Sequence, residues 1–96
     1  EALIIQGMYI FKHAKIGGVV DVHQDSTFLY TEPLSCVGFW FALEDATVEN
    51  GCIWAKPGAH KTNLRSRFRR KDVGTEFQTF DDTEFELDEA IPLEVK

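Results

Sequence analysis

The chain has 96 residues and a formal net charge of −6, and this length provides for one domain, which we assign to residues 1–96. The acidic balance argues against nucleic acid as the main partner. No apolar run is long enough to span a membrane and no signal peptide is evident, so we expect an intracellular, cytoplasmic protein. Eight Phe, two Trp and two Tyr supply enough aromatic surface for a hydrophobic core.

Short strand patterns separated by turn residues fill the first half of the chain. Alternate residues of Leu3–Lys12 share one face, which predicts a strand. Gly18–His23 mixes β-branched and small residues and Cys36–Leu43 is dense in aromatic residues, so both are predicted strands. The polar turn Glu44–Gly51 ends in an Asn-Gly pair, which favours a left-handed or hairpin conformation, and a short strand at Cys52–Ala55 follows.

The second half of the chain has a less regular pattern. Residues 59–71 are polar and basic without a helical or strand period, so we predict a long loop with a helical turn. Thr75–Phe80 and Thr83–Leu87 are predicted as short strands or extended segments, and Ile91–Val95 resembles the approach to another strand. Many short strands with little helix indicate an all-β sandwich or barrel.

The two cysteines, Cys36 and Cys52, both lie inside apolar runs. Cysteines of intracellular proteins are typically reduced, and free cysteine is among the most buried residue types. We therefore predict two reduced core cysteines in preference to a disulfide.

Charge is segregated between two segments of the second half. Residues 61–71, the basic segment, carry six cationic side chains and no carboxylate, whereas residues 81–96 carry seven carboxylates and one lysine. The basic segment is a solvated loop that faces the acidic residues or, less favoured, a site for a phosphate-rich ligand such as a coenzyme A ester. Its cationic residues are Lys61, Arg65, Arg67, Arg69, Arg70 and Lys71.

One pair of side chains suggests metal chemistry. Because side chains alternate faces along a strand, His23 and Asp25 point the same way and Gln24 points the other. One imidazole and one carboxylate are two of the three ligands in the facial triad that binds non-haem Fe(II). A His-x-Asp pair is weak evidence on its own, and the alternative is a surface pair flanking a turn.

Longer motifs around this pair are more specific. Together they resemble the phytanoyl-CoA dioxygenase family, strongly from about Gln6 to Lys61 and weakly beyond. The motifs are Gln6-Gly-Met-Tyr-Ile-Phe-Lys12, Gly17-Gly18, His23-Gln-Asp-Ser-Thr-Phe-Leu-Tyr-Thr-Glu-Pro33, Phe39-Trp-Phe-Ala-Leu-Glu-Asp-Ala-Thr-Val-Glu-Asn-Gly-Cys-Ile-Trp54 and Pro57-Gly-Ala-His-Lys61.

The resemblance implies an enzyme with a double-stranded β-helix (jelly-roll, cupin-like) fold, of which this chain is a partial copy with long loops. It implies Fe(II) as cofactor and 2-oxoglutarate as co-substrate, with oxidative decarboxylation of 2-oxoglutarate coupled to hydroxylation of a small-molecule or acyl-type substrate. By this resemblance His23 and Asp25 bind the iron. Met8 and Trp40 line the 2-oxoglutarate site and Gln24 lies beside it. From the residues alone, Met8 and Trp40 are equally explained as core.

The resemblance also implies what this chain lacks. The family's second iron-binding histidine and the arginine that pairs with 2-oxoglutarate lie on strands after residue 96. His60 in the Pro-Gly-x-His turn is a structural or substrate-side residue by the same resemblance. We therefore expect a truncated dioxygenase domain that is inactive by itself.

Two other functional classes compete with this interpretation. One is a catalytically inactive jelly-roll module that binds a partner or an anionic ligand through the basic segment, and the missing third ligand favours it. The other, a cupin-like zinc hydrolase, is disfavoured because no catalytic base or third ligand is visible.

Overall fold

The computed structural model describes all 96 residues. Its regular elements are strands and 3₁₀ turns without an α-helix, which agrees with the all-β prediction, and no helix could cross a membrane. The strands are β1 (Trp54–Ala55), β2 (Ser66–Arg70), β3 (Thr75–Thr79) and β4 (Ile91–Pro92), and the 3₁₀ turns are Asp25–Thr27 and Ala59–Lys61.

The most regular element is the antiparallel hairpin of β2 and β3. Phe68 lies opposite Phe77 with ring centroids 4.8 Å apart, and Arg69 lies opposite Glu76 with a 2.9 Å ion pair. The connecting turn closes with a 3.1 Å hydrogen bond from the Lys71 N–H to the Gly74 carbonyl. Gly74 has a φ of 79°, a conformation that glycine adopts without steric cost. Cross-strand aromatic and charge pairs therefore stabilise this hairpin.

The prediction of a loop through residues 59–71 is wrong in its second half. The predicted helical turn is present at Ala59–Lys61, but Ser66–Arg70 is a strand. Long basic side chains obscured the alternating pattern because their stems pack like apolar groups. Arg67, for example, places its guanidinium 3.9 Å from the centre of the Tyr30 ring. The prediction of a strand at Thr75–Phe80 is confirmed by β3.

A second, two-stranded sheet joins the C-terminal residues to the middle of the chain. β1 pairs antiparallel with β4, and an isolated bridge pairs Ala46 with Val95. The predicted strands at Cys52–Ala55 and Ile91–Val95 are thus confirmed in part. In the intervening polar turn Gly51 has a φ of 90°, as the Asn-Gly pair predicts.

Four predicted strands form no ladder within the chain: Leu3–Lys12, Gly18–His23, Cys36–Leu43 and Thr83–Leu87. The chain has 22 backbone–backbone hydrogen bonds, whereas a folded domain of this length has on the order of 65. A strand exists only when a second strand accepts its hydrogen bonds, and these segments have none. The predictions of strands at Leu3–Lys12, Gly18–His23 and Cys36–Leu43 are therefore wrong for this structure, because an apolar pattern does not by itself supply a pairing partner.

The predicted hydrophobic core is not formed. Only Thr27 and Cys52 are buried, and the surface area is 8885 Å², against about 5,600 Å² for a folded monomer of this mass. The radius of gyration is 15.3 Å, against about 12.5 Å for a compact domain of this length. Cys36 is exposed, contrary to prediction, and both cysteines are free thiols.

Candidate metal centre

His23 and Asp25 flank the start of the first 3₁₀ turn. The Thr27 N–H donates to the Gln24 carbonyl at 2.9 Å, and the Asp25 carbonyl accepts from Phe28 and Leu29. This turn brings the His23 Nε2 and the Asp25 Oδ1 to 3.1 Å. The predicted convergence of the two side chains is therefore confirmed, although a turn and not a strand produces it. We call the pair the His–Asp site.

The other ring nitrogen of His23 has its own partner. His23 Nδ1 lies 2.8 Å from the Asp21 carbonyl oxygen. A carbonyl can only accept, so Nδ1 carries the hydrogen and the ring is oriented by a main-chain group. Metal-binding histidines are typically oriented in this way, with the second nitrogen donating to a carbonyl or a carboxylate. Nε2 is thereby presented to the Asp25 carboxylate.

This arrangement places two electron-rich atoms in contact. With the hydrogen on Nδ1, a 3.1 Å approach of Nε2 to Oδ1 requires a proton or a metal cation between them. A neutral imidazole nitrogen and a carboxylate oxygen are two of the donor types that hold non-haem Fe(II). The donor types of the pair would therefore suit a shared metal ion, and the 3.1 Å separation is also that of a hydrogen-bonded ion pair.

The His–Asp site opens into a cavity of about 310 Å³. Met8 lies on its wall, whereas Trp40 and Gln24 are not among its lining residues. The His23 side chain is 44% exposed and the Asp25 side chain 82% exposed, so the centre is accessible to a ligand. The lining residues are Gln6, Met8, His23, Asp25, Phe28 and Leu29.

An aromatic cluster that the sequence did not predict packs against the His–Asp site. Phe28 packs against Phe68 and Phe77 with ring centroids 5.8 and 5.9 Å away, and the His23 ring lies edge-on to Phe28 at 6.3 Å. The available signal was the placement of Phe68 and Phe77 on either side of the Gly74 turn. This cluster connects the His–Asp site to the β2–β3 hairpin.

Two metal-donor side chains, those of His23 and Asp25, meet at the site. No group of three His, Cys, Asp or Glu side chains is placed to bind a metal ion. His13 packs against Phe11 with ring centroids 4.6 Å apart, and His60 lies in the second 3₁₀ turn. Neither of these histidines lines the cavity.

Most of the basic segment is neutralised within the chain. Arg65 pairs with Asp81, Arg67 with Glu32, and both Arg69 and Lys71 with Glu76. Arg65 also lies over the Phe85 ring at 5.5 Å. Charges engaged in this way are less available to an anionic ligand. Only Asp81 of these partners belongs to residues 81–96, so the predicted facing of the two segments is limited to one ion pair.

Two of the three groups with shifted pKa values, Asp81 and Lys56, take part in contacts between segments distant in sequence. The Thr83 hydroxyl and N–H, with the charge of Arg65, lower the pKa of Asp81. The Glu89 carboxylate, followed by Glu86, raises the pKa of Lys56. Lys56 Nζ lies 3.3 Å from Glu89 and 3.4 Å from Glu86. Both groups connect segments distant in sequence and have structural roles.

Comparison with known proteins identifies the family. The family model described as Phytanoyl-CoA dioxygenase (PhyH) matches residues 2–96. Phytanoyl-CoA dioxygenase 1 of Oryza sativa subsp. japonica is 56% identical over 93 residues, and Phytanoyl-CoA dioxygenase of Arabidopsis thaliana is 49% identical over 96 residues. The matches cover 97% and 98% of this chain, respectively, and 33% of each relative.

A vertebrate relative has a related name. Phytanoyl-CoA dioxygenase domain-containing protein 1 of Danio rerio is 55% identical over 74 residues, covering 76% of this chain and 25% of that protein. The chain thus spans about a third or less of the length of these relatives. No solved structure matches the chain. On the strength of the family match over nearly all of its residues, the chain belongs to the phytanoyl-CoA dioxygenase family.

Proposed function

We propose that the chain forms part of the active site of an oxygenase that depends on Fe(II) and 2-oxoglutarate. The observation that carries this proposal is the geometry of the His–Asp site. His23 is oriented by the Asp21 carbonyl and presents Nε2 to the Asp25 carboxylate at 3.1 Å, beside an open cavity. Membership of the phytanoyl-CoA dioxygenase family supports the reaction class.

Each residue of the site has a defined task in this proposal. His23 supplies a neutral imidazole nitrogen, because its other nitrogen keeps the hydrogen that it donates to Asp21. Asp25 supplies an anionic oxygen that offsets the positive charge of the metal. Bound iron would supply the redox chemistry that couples decarboxylation of 2-oxoglutarate to substrate hydroxylation.

One wall of the cavity is apolar and would contact the substrate. Met8, Phe28 and Leu29 line it with apolar surface, which favours the apolar part of a small-molecule or acyl-type substrate. We retain Trp40 as a predicted neighbour of 2-oxoglutarate, although it lies outside this cavity in the 96-residue structure. The all-strand architecture supports the jelly-roll fold that the resemblance implies.

We further propose that these 96 residues are inactive alone. Two protein ligands bind iron weakly compared with three, and the chain contains no three-ligand group. Neither sheet closes around the cavity, since each has two strands. An iron-dependent turnover of 2-oxoglutarate by the isolated chain would show this part of the proposal to be wrong.

The test is an anaerobic titration of Fe(II) and 2-oxoglutarate into the full-length protein and into the 96-residue chain, monitored by the visible charge-transfer absorption of the chelate. We expect the absorption in the full-length protein and little or none in the isolated chain. Asp25→Asn should abolish it, because an amide is a far weaker metal ligand than a carboxylate.

Matched controls separate the site from general damage. Asp21→Asn removes a carboxylate two residues before His23 but keeps the main-chain carbonyl that orients the His23 ring. This variant should therefore leave the absorption intact. His23→Ala should abolish the absorption and His13→Ala should not. Equal absorption in wild type and Asp25→Asn would place the metal elsewhere and overturn the proposal.

A further inference from the structure

The side chain of Gln24 connects two segments distant in sequence. Its Nε2 donates to the Asn63 carbonyl at 3.0 Å, and its Oε1 accepts from the Arg65 N–H at 2.8 Å. One amide group therefore satisfies a main-chain acceptor and a main-chain donor on either side of Leu64. This is the pairing that a neighbouring strand would otherwise provide.

Both ends of this connection belong to ordered parts of the molecule. Gln24 stands between His23 and Asp25, and its own carbonyl begins the first 3₁₀ turn by accepting from Thr27. The carbonyl of Arg65 accepts from Phe80 at 2.8 Å and from Asp81 at 3.1 Å, which extends the hairpin pairing beyond β2 and β3. Gln24 therefore ties the backbone of the His–Asp site to the hairpin.

We infer that Gln24 is a positioning residue, which holds His23 and Asp25 in a fixed position relative to the β2–β3 hairpin. This inference rests on the proposed function, since it assigns Gln24 a role toward the metal ligands. It differs from the contact with 2-oxoglutarate that the resemblance implies. The amide is directed to the backbone of Asn63 and Arg65, and Gln24 does not line the cavity.

The expected effect follows from the geometry. The His–Asp site is connected to the hairpin by the Gln24 amide and by the packing of Phe28 against Phe68 and Phe77. Without the amide, the turn is held by the aromatic contact alone and the separation of Nε2 and Oδ1 is less defined. Loss of a group that orients metal ligands typically lowers metal affinity about tenfold to a hundredfold.

The experiment uses Co(II) as the probe, titrated anaerobically into the full-length protein and followed by its visible absorption. Gln24→Ala should weaken Co(II) binding at least tenfold and change the shape of the absorption at saturation, because the ligand geometry is altered. Gln24→Glu keeps an acceptor for the Arg65 N–H but loses the donor to Asn63, and should lie between wild type and Gln24→Ala. It also serves as the second variant should Gln24→Ala fail to fold.

Asn63→Ala is the matched control, because Asn63 contributes only its main-chain carbonyl to the contact. It should bind Co(II) as wild type does. Amide hydrogen exchange of Arg65, measured without metal, reports the contact independently. Exchange should be faster in Gln24→Ala and unchanged in Asn63→Ala.

The outcomes distinguish the two proposals. Faster Arg65 exchange with unchanged Co(II) affinity would make Gln24 merely structural and overturn the inference. Wild type that binds Co(II) no better than His23→Ala would overturn the proposed function, and the positioning role would fall with it. Weaker Co(II) binding and altered absorption in Gln24→Ala, with wild-type behaviour in Asn63→Ala, support both the proposed function and the positioning role.

Discussion

Two regions of this molecule differ in order in the direction opposite to their apolar content. The β2–β3 hairpin pairs every residue of its strands and packs Phe68 and Phe77 against Phe28. The segments 3–12 and 36–43 are richer in large apolar side chains than the hairpin, yet none is buried, and Phe39 remains 82% exposed. Composition is therefore not the cause of the difference. The hairpin contains both of its strands within a few residues, whereas the two apolar segments have no strand beside them.

The His–Asp site lies at the boundary between these regions. On one side it rests on the hairpin through the aromatic cluster and Gln24. On the other its cavity is lined by Gln6 and Met8, from the unpaired first segment. His23 and Asp25 are consequently held together while the cavity stays open. Order in this molecule should therefore depend on whether a segment has a partner to pair with.

The largest expected difference is between Phe68→Ala and Phe39→Ala. Phe68 is half-buried in the aromatic cluster, so its truncation should destabilise the hairpin by about 2 kcal/mol. Truncation of the exposed Phe39 should lower the free energy of unfolding by less than about 0.5 kcal/mol. Amide exchange of β2 and β3 should therefore be about thirtyfold faster in Phe68→Ala. An equal cost at Phe39 would show that another surface covers the 36–43 segment.

A smaller difference is expected between two glycines. Gly74 has a φ of 79° in the hairpin turn, whereas Gly38 lies in an unpaired segment without a positive φ, and both have open space for a Cβ. Gly74→Ala should destabilise the hairpin by about 1 kcal/mol through backbone strain. Gly38→Ala should have no effect on exchange of the hairpin amides. A neutral Gly74→Ala would mean that the turn does not limit hairpin stability.

A pH dependence is expected from Asp81, whose pKa is lowered by Thr83 and Arg65. Because the folded pKa lies below the unfolded one, the stabilisation is present above the ordinary carboxyl range and is lost as pH falls through the lowered value. Asp81→Asn should flatten the acid side of the hairpin stability profile. Asp82→Asn, at a neighbour that makes no side-chain hydrogen bond or ion pair, should leave the profile unchanged. Identical profiles for the two variants would contradict this assignment.

The smallest effect is expected at Lys56, whose pKa is raised by Glu89 and Glu86. Here the stabilisation is complete below the ordinary lysine range and is lost as pH rises through the raised value. Since Glu86 and Glu89 are largely exposed, salt should screen the contribution. Stability should fall slightly as the pH rises through the pKa of Lys56, and this small decrease should be salt-sensitive. Lys56→Gln should abolish it. A loss that salt does not affect would argue against the ion pairs as its cause.

Local sequence was sufficient for several features of the site and fold. The His-x-Asp spacing predicted that His23 and Asp25 lie together, although the 3₁₀ turn and not the extended chain of the prediction brings their side chains to 3.1 Å. The Asn-Gly pair predicted the left-handed Gly51, since its conformation depends on the residue type itself. The longer motifs identified the family, which the family match confirmed.

Long-range pairing could not be deduced from these patterns. Strand propensity was present in Leu3–Lys12 and Cys36–Leu43, but a ladder requires a partner that no local pattern supplies. The same reason hid the strand at Ser66–Arg70, whose regularity comes from Thr75–Thr79. The amide of Gln24 had no assigned partner until the tertiary structure placed Asn63 and Arg65 beside it. The sequence by itself thus determined the imidazole and carboxylate of the His–Asp site and their spacing, while only the tertiary structure decided what holds these side chains in place, because hydrogen bonds between distant segments depend on how the chain folds back on itself.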